Sequence, residues 1–225
     1  MTGQFISMTM SDGAGIRVYH CEPQGERRGG LVVIQEIFGI NAHVRAVCEG
    51  YAADGYEVLA PALFDREAPG FEVGYDAEGV AAGVKLARQE HPFDLTLADT
   101  RTCIDALANK GPVFVVGYCY GGSVTWFAAT RMTGVTAASG YYGSMIPAAA
   151  AEVPKCPTIL HFGRNDHGIP MEGVEQVIAA GHPNLEVFVY DAGHGFNCDY
   201  RADYDAASAT LARERTLTLF RANGG

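Results

Sequence analysis

The chain has 225 residues, 48% of them hydrophobic and 19% charged, a balance ordinary for a globular protein with a full buried core. A formal net charge of −10 argues against a nucleic-acid partner, which selects a basic face. Six cysteines (21, 48, 103, 119, 156, 198) show no C-x-x-C spacing, no basic region followed by an apolar one opens the chain, and no apolar run reaches bilayer length. Zinc ligands, a disulfide framework, a secretory signal and a membrane span are not expected, and the expected location is the reducing cytoplasm.

Residues 5–10 and 15–19 alternate around Ser11-Asp12-Gly13, which predicts a hairpin at a sheet edge. Residues 31–35 form a buried strand ending in Glu36-Ile37-Phe38-Gly39-Ile40-Asn41, and a helix follows through Ala53. The strand at 57–61 stops at a proline, and residues 62–76 form a loop over its C-terminal end. Helices are predicted over 77–89 and 95–109.

Val113-Phe114-Val115-Val116 then reads as a strand buried on both faces. After it come Gly117-Tyr118-Cys119-Tyr120-Gly121-Gly122 and a further helix. Strands at 134–140, 157–162 and 185–190 and helices at 171–180 and 203–220 complete the chain. Strand–helix alternation without a linker or repeat predicts one α/β domain over residues 1–225. Its sheet is doubly wound and mostly parallel, with helices on both faces.

Ligands of such sheets bind beyond the carboxyl ends of the strands. Glu36, Cys119, Asp166 and His194 all fall just past a predicted strand end. Gly-x-Cys-x-Gly between strand and helix predicts a nucleophile elbow, its tip exposed at a helix N-terminus that favours a thiolate. A thiol attacking an ester carbonyl needs a base and a group to orient that base. His194, in a glycine-flanked loop, is the candidate base and Asp166 the orienting acid. The order Cys119, Asp166, His194 is that of α/β-hydrolases. His161, inside a strand, reads as packing. The backbone N–H groups of Ile37 and Tyr120 are the candidate oxyanion donors, and Phe38, Phe64, Tyr142 and Phe196 the candidate pocket walls.

At these places the sequence resembles the dienelactone hydrolase family. The matching stretches are Gln35-Glu36-Ile37-Phe38-Gly39 with Asn41-Ala42, Gly117-Tyr118-Cys119-Tyr120-Gly121-Gly122, Gly140-Tyr141-Tyr142-Gly143, Asp166-His167 and Ala192-Gly193-His194-Gly195-Phe196. The resemblance implies a monomeric α/β-hydrolase fold with no cofactor and no metal. It also implies opening of a small-molecule lactone or ester through Cys119, His194 and Asp166. In the family the glutamate matching Glu36 contacts the resting thiol and assists its activation.

Members acting on dienelactones hold the substrate carboxylate with two arginines. Here Cys198 stands at one of those places and Val80 or a neighbour at the other, while Arg201 lies one turn further on. On sequence alone a less polar ester or a different lactone is at least as good a substrate as a dienelactone. The alternative function is a binding or redox-sensing protein on the same scaffold, with Cys119 as its reactive thiol.

Overall fold

The computed structural model describes residues 3–225; Met1 and Thr2, part of the N-terminal stretch read above, lie outside the described residues. Eight strands form one sheet: β1 (Gln4–Thr9), β2 (Gly15–Cys21), β3 (Gly29–Ile34), β4 (Tyr56–Pro61), β5 (Val113–Tyr118), β6 (Ala137–Tyr141), β7 (Thr158–Gly163) and β8 (Leu185–Tyr190). Their order is β1-β2-β4-β3-β5-β6-β7-β8. The β1–β2 hairpin and the β2–β4 pair are antiparallel; all later pairs are parallel. This is an α/β-hydrolase fold.

The helices are α1 (Ala42–Ala53), α2 (Ala77–Lys85), α3 (Phe93–Ala108), α4 (Tyr120–Arg131), α5 (Met171–Ala179) and α6 (Ala206–Ala222). Alternation along the central strands divides the core. Leu31, Val33, Phe114 and Val116 pack with α1 and α6. Val32, Ile34, Val113 and Val115 pack with α3. Because both faces are covered, these strands have no polar face and read as continuous apolar runs. Among the described residues no helix is long and apolar enough to cross a membrane.

Several predicted bounds move by one to four residues, and three of the larger shifts have a local reason. β6 starts at Ala137 rather than Gly134, because Gly134 turns with φ +83°. The helix from 77 leaves α-geometry at Lys85 and ends in a π-helical turn over Leu86–Glu90, just before Pro92. α6 starts at Ala206 rather than Asp203, since Asp205 caps it by accepting from the Ser208 N–H at 2.7 Å.

His161 sits inside β7, fully buried. Its Nδ1 lies 2.8 Å from the Tyr190 hydroxyl and its Nε2 3.2 Å from that of Ser139. Burial, with Arg215 nearby, pushes its pKa from 6.5 down to about 3. The unfolded chain therefore binds a proton below about 6.5 that the folded chain refuses until about 3. This contribution to stability is intact above 6.5 and is lost progressively as the pH falls toward 3. The urea midpoint should drop between pH 7 and pH 4.5 by more in the wild type than in His161→Gln; equal drops would refute the assignment.

Candidate active site

The parallel run places the C-terminal ends of β3, β5, β7 and β8 along one rim. Cys119 directly follows β5 and opens α4 with φ +55° and ψ −111°, a conformation few non-glycine residues adopt. Its surroundings make room for that turn. A Cβ on Gly117 would strike the carbonyl oxygen of Gly121, one on Gly121 that of Ile34, and one on Gly122 that of Tyr141. Close packing of α4 on three strand ends thus forbids side chains at these positions and presents Cys119 at the tip, partly exposed.

His194 Nε2 lies 3.2 Å from Cys119 Sγ, and His194 Nδ1 lies 2.7 Å from Asp166 Oδ2. Asp166 is buried, and its other oxygen accepts from the backbone N–H groups of Gly168 (2.8 Å) and Ile169 (3.1 Å). One carboxylate oxygen thus anchors the loop and the other orients the ring. Burial opposes a charged His194, but the hydrogen bonds to Asp166 and Cys119 and their negative charge outweigh it, raising the pKa from 6.5 to about 10. A thiol, an imidazole and a carboxylate are thus joined in one chain of contacts.

Glu36, two residues beyond β3, is buried and bonded to Arg201: Arg201 Nη1 donates to Oε1 at 3.3 Å, while Oε2 has no partner among the described residues. It makes no hydrogen bond to Cys119. The resting contact with the thiol that the resemblance implied is replaced here by an ion pair. The arginine comes from the loop after β8, passing over Gly195 (φ +80°), where a Cβ would lie 2.7 Å from Arg201 Nε. Its guanidinium also faces the Phe38 ring at 5.9 Å.

Sequence spacing did not place Arg201 at the site. The signal was the glycine after the histidine, which clears a path for a long side chain. Cys198 is buried and Val80 is exposed on α2, so neither replaces a guanidinium. The Tyr75 hydroxyl, which accepts from Asn41 Nδ2 at 3.0 Å, sits beside Cys198.

The candidate oxyanion donors lie on the expected elements, Ile37 beyond β3 and Tyr120 at the first position of α4. The four aromatic residues divide. Tyr142 packs 5.2 Å from the His194 ring, with Phe196 5.3 Å from it, and the Phe38 ring lies 4.5 Å from that of Tyr75, tilted by 58°. Phe64 packs instead against Phe71, His91 and Tyr120 in the core on the α3 face. Among the described residues two groups of side chains are spaced to hold a metal ion: His43, Cys198 and Asp199 beside the site, and His20, Glu22 and Glu57 elsewhere. The first joins residues 155 positions apart (198 minus 43), which linear spacing could not reveal.

The sequence profile of the Dienelactone hydrolase family matches residues 16–224. A Synechocystis sp. protein assigned as a carboxymethylenebutenolidase is 40% identical over 210 residues, covering 85% of each chain. The carboxymethylenebutenolidase of Pseudomonas putida is 32% identical over 197 residues, covering 83% of each. Among solved structures, a Klebsiella pneumoniae protein assigned as a dienelactone hydrolase superposes with TM-score 0.85 at 28% identity, covering 97% of this chain and 98% of its own.

Proposed function

Given that the chain belongs to the dienelactone hydrolase family, we propose that it hydrolyses a small carboxylated lactone or ester through a thioacyl-enzyme on Cys119. The observation that carries this reading is the contiguous Cys119–His194–Asp166 chain of contacts, 3.2 and 2.7 Å long, at the tip of a strained strand-to-helix turn.

The thiolate of Cys119 adds to the carbonyl carbon, whose oxygen becomes an anion held by the N–H groups of Ile37 and Tyr120. Protonated His194 gives its proton to the leaving oxygen as the C–O bond breaks, leaving a thioester. Neutral His194 then takes a proton from water, the hydroxide adds to the thioester, and the thiolate departs with the carboxylic acid released. Side chains and backbone of this chain supply every group the sequence of steps uses. The joining of all eight strands in one sheet supports reading residues 1–225 as a single domain.

Arg201 narrows the substrate. A guanidinium at the site is a fork for a carboxylate, and its present partner Glu36 is one it can exchange for a substrate anion. Once released, Glu36 is a free base beside the thiol. Steady-state hydrolysis of a neutral aryl ester and of a lactone bearing a carboxylate tests both parts. If the wild type turns over neither, the hydrolase reading falls. Arg201→Gln should raise KM for the carboxylated lactone about 10- to 100-fold, the worth of one hydrogen bond to a charged group. The aryl ester should change less than about threefold. Equal losses on both substrates would show that Arg201 serves only to hold Glu36.

A further inference from the structure

Tyr142 combines two unfavourable features, one of its backbone and one of its side chain. Its φ is +37°, a left-handed conformation that bulky side chains avoid. Its phenol oxygen is buried without a hydrogen-bond partner among the described residues. Buried hydroxyls nearly always find one.

The strain is imposed by the site. The Tyr142 N–H donates to the His161 carbonyl at 2.7 Å, fixing the backbone at the end of β6. Gly122 of α4 packs against the Tyr141 carbonyl, and a Cβ on Gly143 would lie 2.5 Å from the Ser123 nitrogen. Held in this way, the ring lies 5.2 Å from the ring of His194 and 5.3 Å from that of Phe196.

The hydroxyl's surroundings belong to the reaction. Glu36, Cys119, Cys198 and Arg201 all act electrostatically on it, and burial followed by the Glu36 charge pushes its pKa well up. It therefore remains an O–H donor across the working pH range. Glu36 Oε2, an acceptor, also lacks a partner, yet the two do not bond to each other. The donor thus has a protein environment built around it and no acceptor among the described residues.

We propose that Tyr142 contacts the substrate directly, its phenol O–H donating a hydrogen bond to an oxygen of the acyl group attached to Cys119. This rests on the hydrolase reading above and gives a backbone-strained residue of the site a defined chemical role. The strained backbone holds the ring 5.2 Å from that of His194, with its phenol a donor that has no partner among the described residues.

Tyr142→Phe removes one oxygen and keeps the ring. Because the hydroxyl has no protein partner, the melting temperature should stay the same or rise. The value of kcat/KM should fall about 10- to 100-fold on whichever ester the wild type hydrolyses. The rate at which iodoacetamide alkylates Cys119, read by peptide mass across pH 6–10, should not change, because the hydroxyl acts on substrate and not on the thiol. Unchanged kcat/KM would overturn the proposal and mean that a bound water satisfies the phenol. A lower melting temperature would overturn it by showing a structural partner, and an alkylation profile shifted in step with kcat/KM would assign the hydroxyl to the thiol. All three readings compare the variant with an active wild type, so failure of the hydrolase reading itself would show separately, as absent wild-type turnover.

Discussion

Cys119→Ala should abolish ester hydrolysis, lowering kcat by about a million-fold, the loss found where a nucleophile and its base work as one unit. The size follows from what alanine leaves behind. The oxyanion donors and the pocket remain and still bind substrate, but His194 faces a methyl group, and the only attack available is direct attack by water. The fold should be nearly indifferent, since Cys119 is partly exposed and alanine fits the same turn with one atom fewer. A slow ester quenched in acid should yield a peptide spanning residue 119 whose mass is raised by the acyl group in the wild type, with no such species in the variant. Hydrolysis within tenfold of wild type, or the acyl mass on another peptide, would remove Cys119 from the mechanism.

Asp166→Asn should reduce kcat by about 10³- to 10⁴-fold with little change in KM, and the reason is a tautomer. The Oδ1 atom of Asp166 accepts from two backbone N–H groups, of Gly168 and Ile169, so an asparagine must turn its carbonyl oxygen toward them. Its NH₂ group then faces His194 Nδ1, which must become an acceptor. The ring proton is forced onto Nε2, the nitrogen that faces Cys119 and has to take the thiol's proton. Geometry is preserved and the base is disabled. In a thiol sensor the same substitution would change little, because sensing requires neither general base nor tautomer. Turnover within threefold of wild type would therefore favour the sensing alternative.

Most of the architecture is visible in the sequence because the central strands are buried twice over. Val113–Val116 admits no polar residue on either face, so the strand, the turn after it and the helix beyond announce themselves together. Glu36, Cys119, Asp166 and His194 each fall within a few residues of a strand's C-terminal end, and the parallel topology turns these four separated sequence positions into one rim. What eluded the sequence is lateral reach. Arg201 arrives from a loop with no periodicity, seven residues after His194, and only the bare backbone at Gly195 hints at the crossing. The aromatic positions carried still less information, since Phe64 and Phe38 are equally buried and only packing distinguishes a core ring from one beside the guanidinium. The strain at Tyr142 was hidden for a similar reason. A left-handed tyrosine looks like any other until the neighbouring backbones are in place.

The backbone cage around the elbow has a bearing on how such a protein can change over generations. Gly117, Gly121, Gly122 and Gly143 have no room for even a methyl group, because carbonyls and amides of neighbouring segments occupy that space. Drift at these four positions is closed off whatever reaction is under selection. The tip residue is under no such restriction: its side chain extends beyond the cage, and sulfur can be exchanged for another nucleophilic atom without displacing a neighbouring carbonyl. Shape and chemistry are thereby set by different atoms, the backbone packing fixing the one and the tip side chain alone carrying the other.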